Sequence, residues 1–234
     1  MKSKNKYILA VYTTFSIELL INIATIIFCE RNFDSKYFSH AILNQYSNIL
    51  IIISALLGFI QFFIIEERIK NKKAGILSLL VLIPICLTQC IFIGILFAAL
   101  ALGTNFRIVL YAFLITFMIF LSMTIWGFLS KRTSYHHPIL SRIFIGSCVV
   151  SVFNMFWGWS WINLIVDVID LIVVSLFIYL DTIKIKQHAE KFRDDNLILK
   201  ELNALMDAFY IYMDFALIWA DVADLMARTE ADSE

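Results

Sequence analysis

The sequence predicts an all-α, polytopic integral membrane protein with seven transmembrane helices. Three observations carry that prediction. Of 234 residues, 61% are hydrophobic and 16% charged, against about 45–50% and 25% in soluble domains. The mean hydropathy is +0.82, which excludes a disordered chain. Finally, the apolar residues fall in runs near the ~20 residues that a helix needs to cross the hydrocarbon core.

Those runs lie at 8–28, 46–65, 75–102, 107–129, 140–158, 161–183 and 204–226. Residues 1–7 then form a cytoplasmic N-terminus, 8–226 a single seven-helix transmembrane domain, and 227–234 an acidic C-terminal tail. None of the runs alternates with the period of two that barrel strands require. Helices are the alternative, because they satisfy their backbone polar groups internally. Seven Gly and two Pro leave no loop-rich region, and Pro84 inside the third span predicts a kink there.

The first span follows three lysines, as a signal peptide would. It is too long for an h-region, and Phe28-Cys29-Glu30 is not a small-x-small cleavage site, so it reads as a retained anchor. Orientation follows from Lys and Arg. Fifteen of them (among them Lys2, Lys4, Lys6, Arg68, Lys131, Lys186 and Arg193) fall on one side of a seven-span arrangement. Only Arg31, Lys36, Arg107 and Arg228 fall on the other. The N-terminus is therefore expected in the cytoplasm and the C-terminus outside. Phe156 to Trp161, with three Trp, falls at an outer connection where an aromatic belt belongs.

Acids at membrane depth are the informative residues. An Asp at a helix centre costs about 2.5–3.5 kcal/mol on insertion scales, so such residues usually mark a pathway or a site. The sixth span holds Asp167, Asp170 and Asp181 on one stripe, since eleven steps from 170 to 181 come within about 20° of whole turns. Asp207, Asp214 and Asp221 repeat every seven residues in the last span. Three such acids oppose insertion by roughly 9 kcal/mol, so this helix is expected to avoid lipid, enclosed by the other six.

Glu18 in the first span is a further acid; Gln61 and Gln89 are only dipolar, and no Lys or Arg sits deep in a span. Acids gathered without cations hold either protons or a bound cation, and oxygen ligands select hard ions such as Ca²⁺. The plainer readings stand beside this one. Asp167, Asp221 and Asp224 lie near the outer interface and Asp207 at the inner edge, where solvation accounts for them. Asp181 and Asp214 would otherwise be a structural pair, and Glu18 a packing residue.

Other motifs carry less. His136 and His137 beside Pro138 read as a solvated loop, and Cys86 and Cys90 as packing on one helix face. Gly94/Ala98 and Ala99/Gly103 are small-xxx-small pairs for helix packing. The four Cys include no CxxC. With no Ser-His-Asp, HExxH or Gly-rich phosphate signature, the chain is not expected to be an enzyme. Zero net charge gives no reason to expect nucleic acid as a partner.

Phe177-Ile178-Tyr179-Leu180-Asp181-Thr182, leading to Lys184 and Lys186, is similar to the sixth-helix signature of the Bax inhibitor family, in its bacterial YccA-like branch. Ala208 to Phe215, through Tyr210, Tyr212 and Asp214, resembles the last-helix signature. Ala112 to Thr116, Leu121-Ser122, Gly127 and Ser130-Lys131-Arg132-Thr133 resemble helix four and its basic turn. The chain departs from the pattern at Ile183, Leu217 and Asp224, and Gln61 is the nearest polar candidate for a helix-two partner of the acid pair. The resemblance implies seven helices around an enclosed last one, a stress-protective role, and a place in the cytoplasmic (inner) membrane. It also implies that Asp181 and Asp214 sense pH and gate a calcium leak, and that a membrane-anchored protease is a partner.

The expected function is accordingly a pH-sensitive cation (calcium) leak. Asp181 and Asp214 form the gate and the candidate calcium site, with Asp170, Asp167, Asp221 and Glu18 as accessory acids. No cofactor is expected; calcium or protons are the permeant ions. The alternative is a non-transporting adaptor for a quality-control protease, using the basic loop 184–200 and the tail. A solute transporter would need an internal repeat and matched broken helices, which the sequence lacks.

Overall fold

A computed structural model describes residues 2–33, 76–103, 106–131, most of 139–150, 160–191 and 197–231, with scattered positions between 38 and 60. Helix is the only extended regular structure among the described residues. Five long helices are α1 (Lys2–Asn32), α2 (Ile76–Gly103), α3 (Phe106–Leu129), α4 (Ser160–Lys191) and α5 (Leu197–Ala231). Asn5–Asn32, Ser78–Gly103 and Phe106–Leu129 are long and apolar enough to cross a membrane. The expected second span (46–65), with Gln61, lies almost wholly outside the described residues, as do the second half of the fifth and His136, His137 and Phe156 to Trp159.

Local chemistry explains the lengths of the helices. α1 contains no Gly or Pro across its 31 residues. Two of its side-chain hydroxyls fold back onto the preceding turn, Ser16 to Tyr12 O (2.8 Å) and Thr25 to Ile21 O (2.9 Å), which satisfies both donors within the helix. Asn32 Nδ2 donates to Phe28 O at its C-terminal end. α2 accommodates Pro84, which cannot donate to the carbonyl one turn back; Thr88 donates to Pro84 O at 2.8 Å.

α4 and α5 outrun the apolar runs that predicted them. The segment 184–200, expected as a basic loop, is helical to Lys191 and again from Leu197. Arg193 lies in the undescribed interval between. Hydropathy marks where a helix meets the interface, whereas Lys, Gln, Ala and Glu continue the helix beyond it.

The chain divides into two units, Met1–Phe106 with His188–Tyr212, and Arg107–Gln187 with Met213–Glu234. In the first, α1 buries Tyr7, Val11, Phe15, Glu18, Asn22, Ile26 and Cys29 along one stripe and exposes Leu9, Ile17, Leu20 and Phe28. Large apolar side chains outward and polar ones inward is the arrangement a lipid-facing helix adopts. α1 lies against α2 at Gly94, where an added Cβ would fall 2.8 Å from Thr25 Cβ and 3.2 Å from Asn22 O. This puts the Gly94/Ala98 pair to the packing use expected of it; Ala98, Cys86 and Cys90 are buried too.

In the second unit α3 repeats the polarity. Ala112, Thr116, Phe120, Thr124 and Gly127 are buried, while Leu114, Met118, Ile125 and Leu129 are exposed. A Cβ at Gly127 would fall 2.7 Å from Thr182 Cβ, so α3 and α4 meet at backbone distance. Phe113 and Phe120 pack edge-on against Phe215 of α5, with centroids 5.6 and 5.8 Å away. The buried indole of Trp219 donates to Val109 O at 3.0 Å. Ile183, one of the departures from the resemblance pattern, is core, packed with Tyr179 and Leu180.

Candidate functional site

In the second unit α4 sets Asp181 and Lys184 in electrostatic contact with Asp214 of α5. The two acids expected to form a gate are thus brought together. The spacing that does it is local: three residues separate Asp181 from Lys184, so both share a helix face. Asp214 Oδ2 is shut off from solvent and has no hydrogen-bond partner in the protein. The expectation that no cation accompanies these carboxylates is corrected here. Lys184, expected in a loop, lies within α4, where its positive charge acts on Asp214.

Lys186, two residues on, does something different. Its Nζ donates to the carbonyls of Phe128 and Ser130 (both 2.9 Å) and Gly127 (3.4 Å). These belong to the last turn of α3 and the residue after it, where carbonyls lack helical partners and the dipole favours a cation. Ser130 and Tyr179 hydroxyls share a further hydrogen bond of 2.9 Å at the same corner. Lys186 is therefore structural, and the basic segment offers a partner less charge than its composition suggests.

A second acid group sits further along the same two helices. Asp221 of α5 faces Asp167 and Asp170 of α4 and its own neighbour Asp224. Arg228 Nη1 lies 3.2 Å from Asp167 Oδ2, and Nη2 bonds Asp224 one turn back. Ser147 Oγ donates to Asp170 Oδ1. Asp167 and Asp224 are thus both paired with Arg228, and Asp224 is also half exposed, as an acid near the interface would be. The missed residue is Arg228, and its signal was the four-residue spacing from Asp224.

The first unit holds two more buried acids. Asp207, expected to be solvated, is 3% exposed. It accepts from Tyr7 Oη at 2.7 Å and lies 2.8 Å from His188 Nδ1. Neither partner is near it in sequence, so no local spacing announced them. Glu18 is 4% exposed, and both its carboxylate oxygens lack hydrogen-bond partners. Asn22, one turn on, donates to Tyr212 Oη at 2.7 Å while its own Oδ1 is unpartnered.

Four of the sequence-predicted acid positions thus stand out: the Asp181–Asp214 pair, the Arg228-bound group, Asp207 with Tyr7 and His188, and Glu18. No three His, Cys, Asp or Glu side chains among the described residues gather as a metal-binding group. A carboxylate pair beside one lysine suits the holding and release of a proton or a cation.

Comparison with curated proteins finds no match. The model of the family described as Inhibitor of apoptosis-promoting Bax1 matches residues 4–231. That match takes in α1 through α5 together, and the chain belongs to the Bax inhibitor family, as an integral multi-pass membrane protein.

Proposed function

We propose that this protein carries out its Bax-inhibitor-like role as a pH-sensitive cation leak, with calcium as the principal ion and Asp181 and Asp214 as the gate. The observation that carries the reading is the opposition of Asp181 and Lys184 on α4 to Asp214 on α5, whose Oδ2 is buried and unpartnered. With both acids ionised, mutual repulsion or an entering cation favours an open route. A proton shared by the pair removes the repulsion and closes it. The titration belongs to the pair and not to either residue.

The reading includes seven spans, with α5 enclosed, and an N-terminus in the cytoplasm of a cell whose inner membrane holds the chain. α5 supports enclosure by burying residues in unbroken succession, from Met206 to Phe209 and at Ile211 and Tyr212. The Lys and Arg asymmetry supports the orientation.

The test is calcium flux into liposomes holding only this protein, at two pH values, for wild type and Asp181→Asn/Asp214→Asn. Flux that responds to pH in wild type and loses the response in the variant is the expected result. Absence of flux above empty liposomes at both pH values would remove the leak and favour a membrane adaptor that acts on a quality-control protease.

A further inference from the structure

We propose that Glu18 is a separate ion site in the first unit, a buried carboxyl that holds a proton and exchanges it for a monovalent alkali cation such as Na⁺. Three oxygens define it. Glu18 Oε1 and Oε2 have no hydrogen-bond partner, and Asn22 Oδ1, one helical turn away, has none either. Both side chains are at least nine-tenths buried, at 4% and 0% exposure. The Asn22 amide is fixed by its Nδ2 bond to Tyr212 Oη, which leaves Oδ1 free to serve as an acceptor or a ligand.

The surroundings decide what those oxygens hold. The titratable groups facing Glu18 are Cys86 and Cys90 of α2 and Tyr212 of α5, two thiols and a phenol. Among the described residues no Lys, Arg or His acts on it. A bare carboxylate in such a place has lost its water and gained no counter-charge, which is not sustainable. The carboxyl is neutral while it keeps its proton, and Asn22 Oδ1, one helical turn along α1, is an acceptor with no other donor.

If the proton leaves, a positive charge must replace it. One carboxylate balances one charge, so the ion is monovalent, and carboxylate and amide oxygens are hard ligands that suit an alkali cation. The exchange balances as one H⁺ out for one Na⁺ in. It does not depend on Asp181 or Asp214, which lie in the other unit.

The test uses dicyclohexylcarbodiimide, which modifies carboxyls that are both protonated and in apolar surroundings. The full-length protein in liposomes is treated at mildly acidic pH, with Na⁺ replacing choline at constant ionic strength. Modification is then read by mass spectrometry on the peptide containing Glu18. Labelling of Glu18 that falls several-fold as Na⁺ rises is expected, as is a roughly tenfold higher Na⁺ requirement for protection in Asn22→Ala. Absence of labelling at Glu18, or labelling indifferent to Na⁺, would overturn the site; protection by Ca²⁺ alone would overturn its monovalent character. Each reading comes from one peptide, so failure here is separable from failure of the Asp181–Asp214 gate.

Discussion

Tyr7 and Asp207 stand 200 residues apart in the chain, and the Tyr7 hydroxyl donates to Asp207 Oδ2 at 2.7 Å with both side chains buried. His188 Nδ1 approaches the same oxygen at 2.8 Å. The first turns of α1, the end of α4 and the first half of α5 are tied at one carboxyl. Hydrogen bonds involving a charged group contribute about 1.5–3 kcal/mol. Tyr7→Phe should lower stability by about that amount while retaining the ring, measured as a drop in unfolding temperature in detergent. In the double variant with Asp207→Asn, the two losses should be clearly less than additive, because the groups share one bond. Strict additivity would show that the bond contributes little.

Gly127 is the point where α3 has no room for a side chain. A Cβ there meets Thr182 Cβ at 2.7 Å and Tyr179 O at 3.0 Å. Gly127→Val should destabilise by about 1–3 kcal/mol through overpacking, and Gly127→Ala by less. Thr182→Ala in the Val background should recover part of the loss. The same unfolding measurement checks all three.

Two cations that look alike in sequence should differ in effect. Lys186 binds carbonyls at the end of α3, so Lys186→Met strands acceptors and should cost about 1.5–3 kcal/mol. The Arg228 side chain is 36% exposed and faces Asp167 and Asp224. Arg228→Ala should cost no more than about 1 kcal/mol, and the loss should shrink in high salt. Comparing unfolding temperatures at low and high salt separates the two cases.

Lys184 supplies a positive charge beside Asp214, half of the gate in the proposed leak. Lys184→Gln removes a group that favours ionised carboxylates, so the pH at which calcium flux switches should move upward. Flux assays across a pH series read this directly. A switch point that stayed in place would separate Lys184 from the gate.

The helical class and the position of the long helices were legible from composition and run length, because a bilayer admits few backbone arrangements. The sixth- and last-helix signatures singled out Asp181 and Asp214, which α4 and α5 set in electrostatic contact, and helical spacing puts Asp167, Asp170 and Asp181 on one face. Helix ends were less legible. Apolar runs stop at the interface, while α4 and α5 continue to Lys191 and Ala231.

Partnerships were decided by tertiary structure. Spacing along a helix fixes which residues share a face, but not what stands opposite. Asp207 looked like an interfacial acid until Tyr7 arrived from the other end of the chain, and Lys186 looked like one more cytoplasmic charge until the end of α3 met it. Glu18 was visible as an acid in an apolar run, yet only burial and the absence of any donor to its oxygens distinguish it from a solvated one. A single strand of sequence records the cost of placing a charge in the membrane. What offsets that cost is contributed by another helix, and only the folded chain brings it within reach.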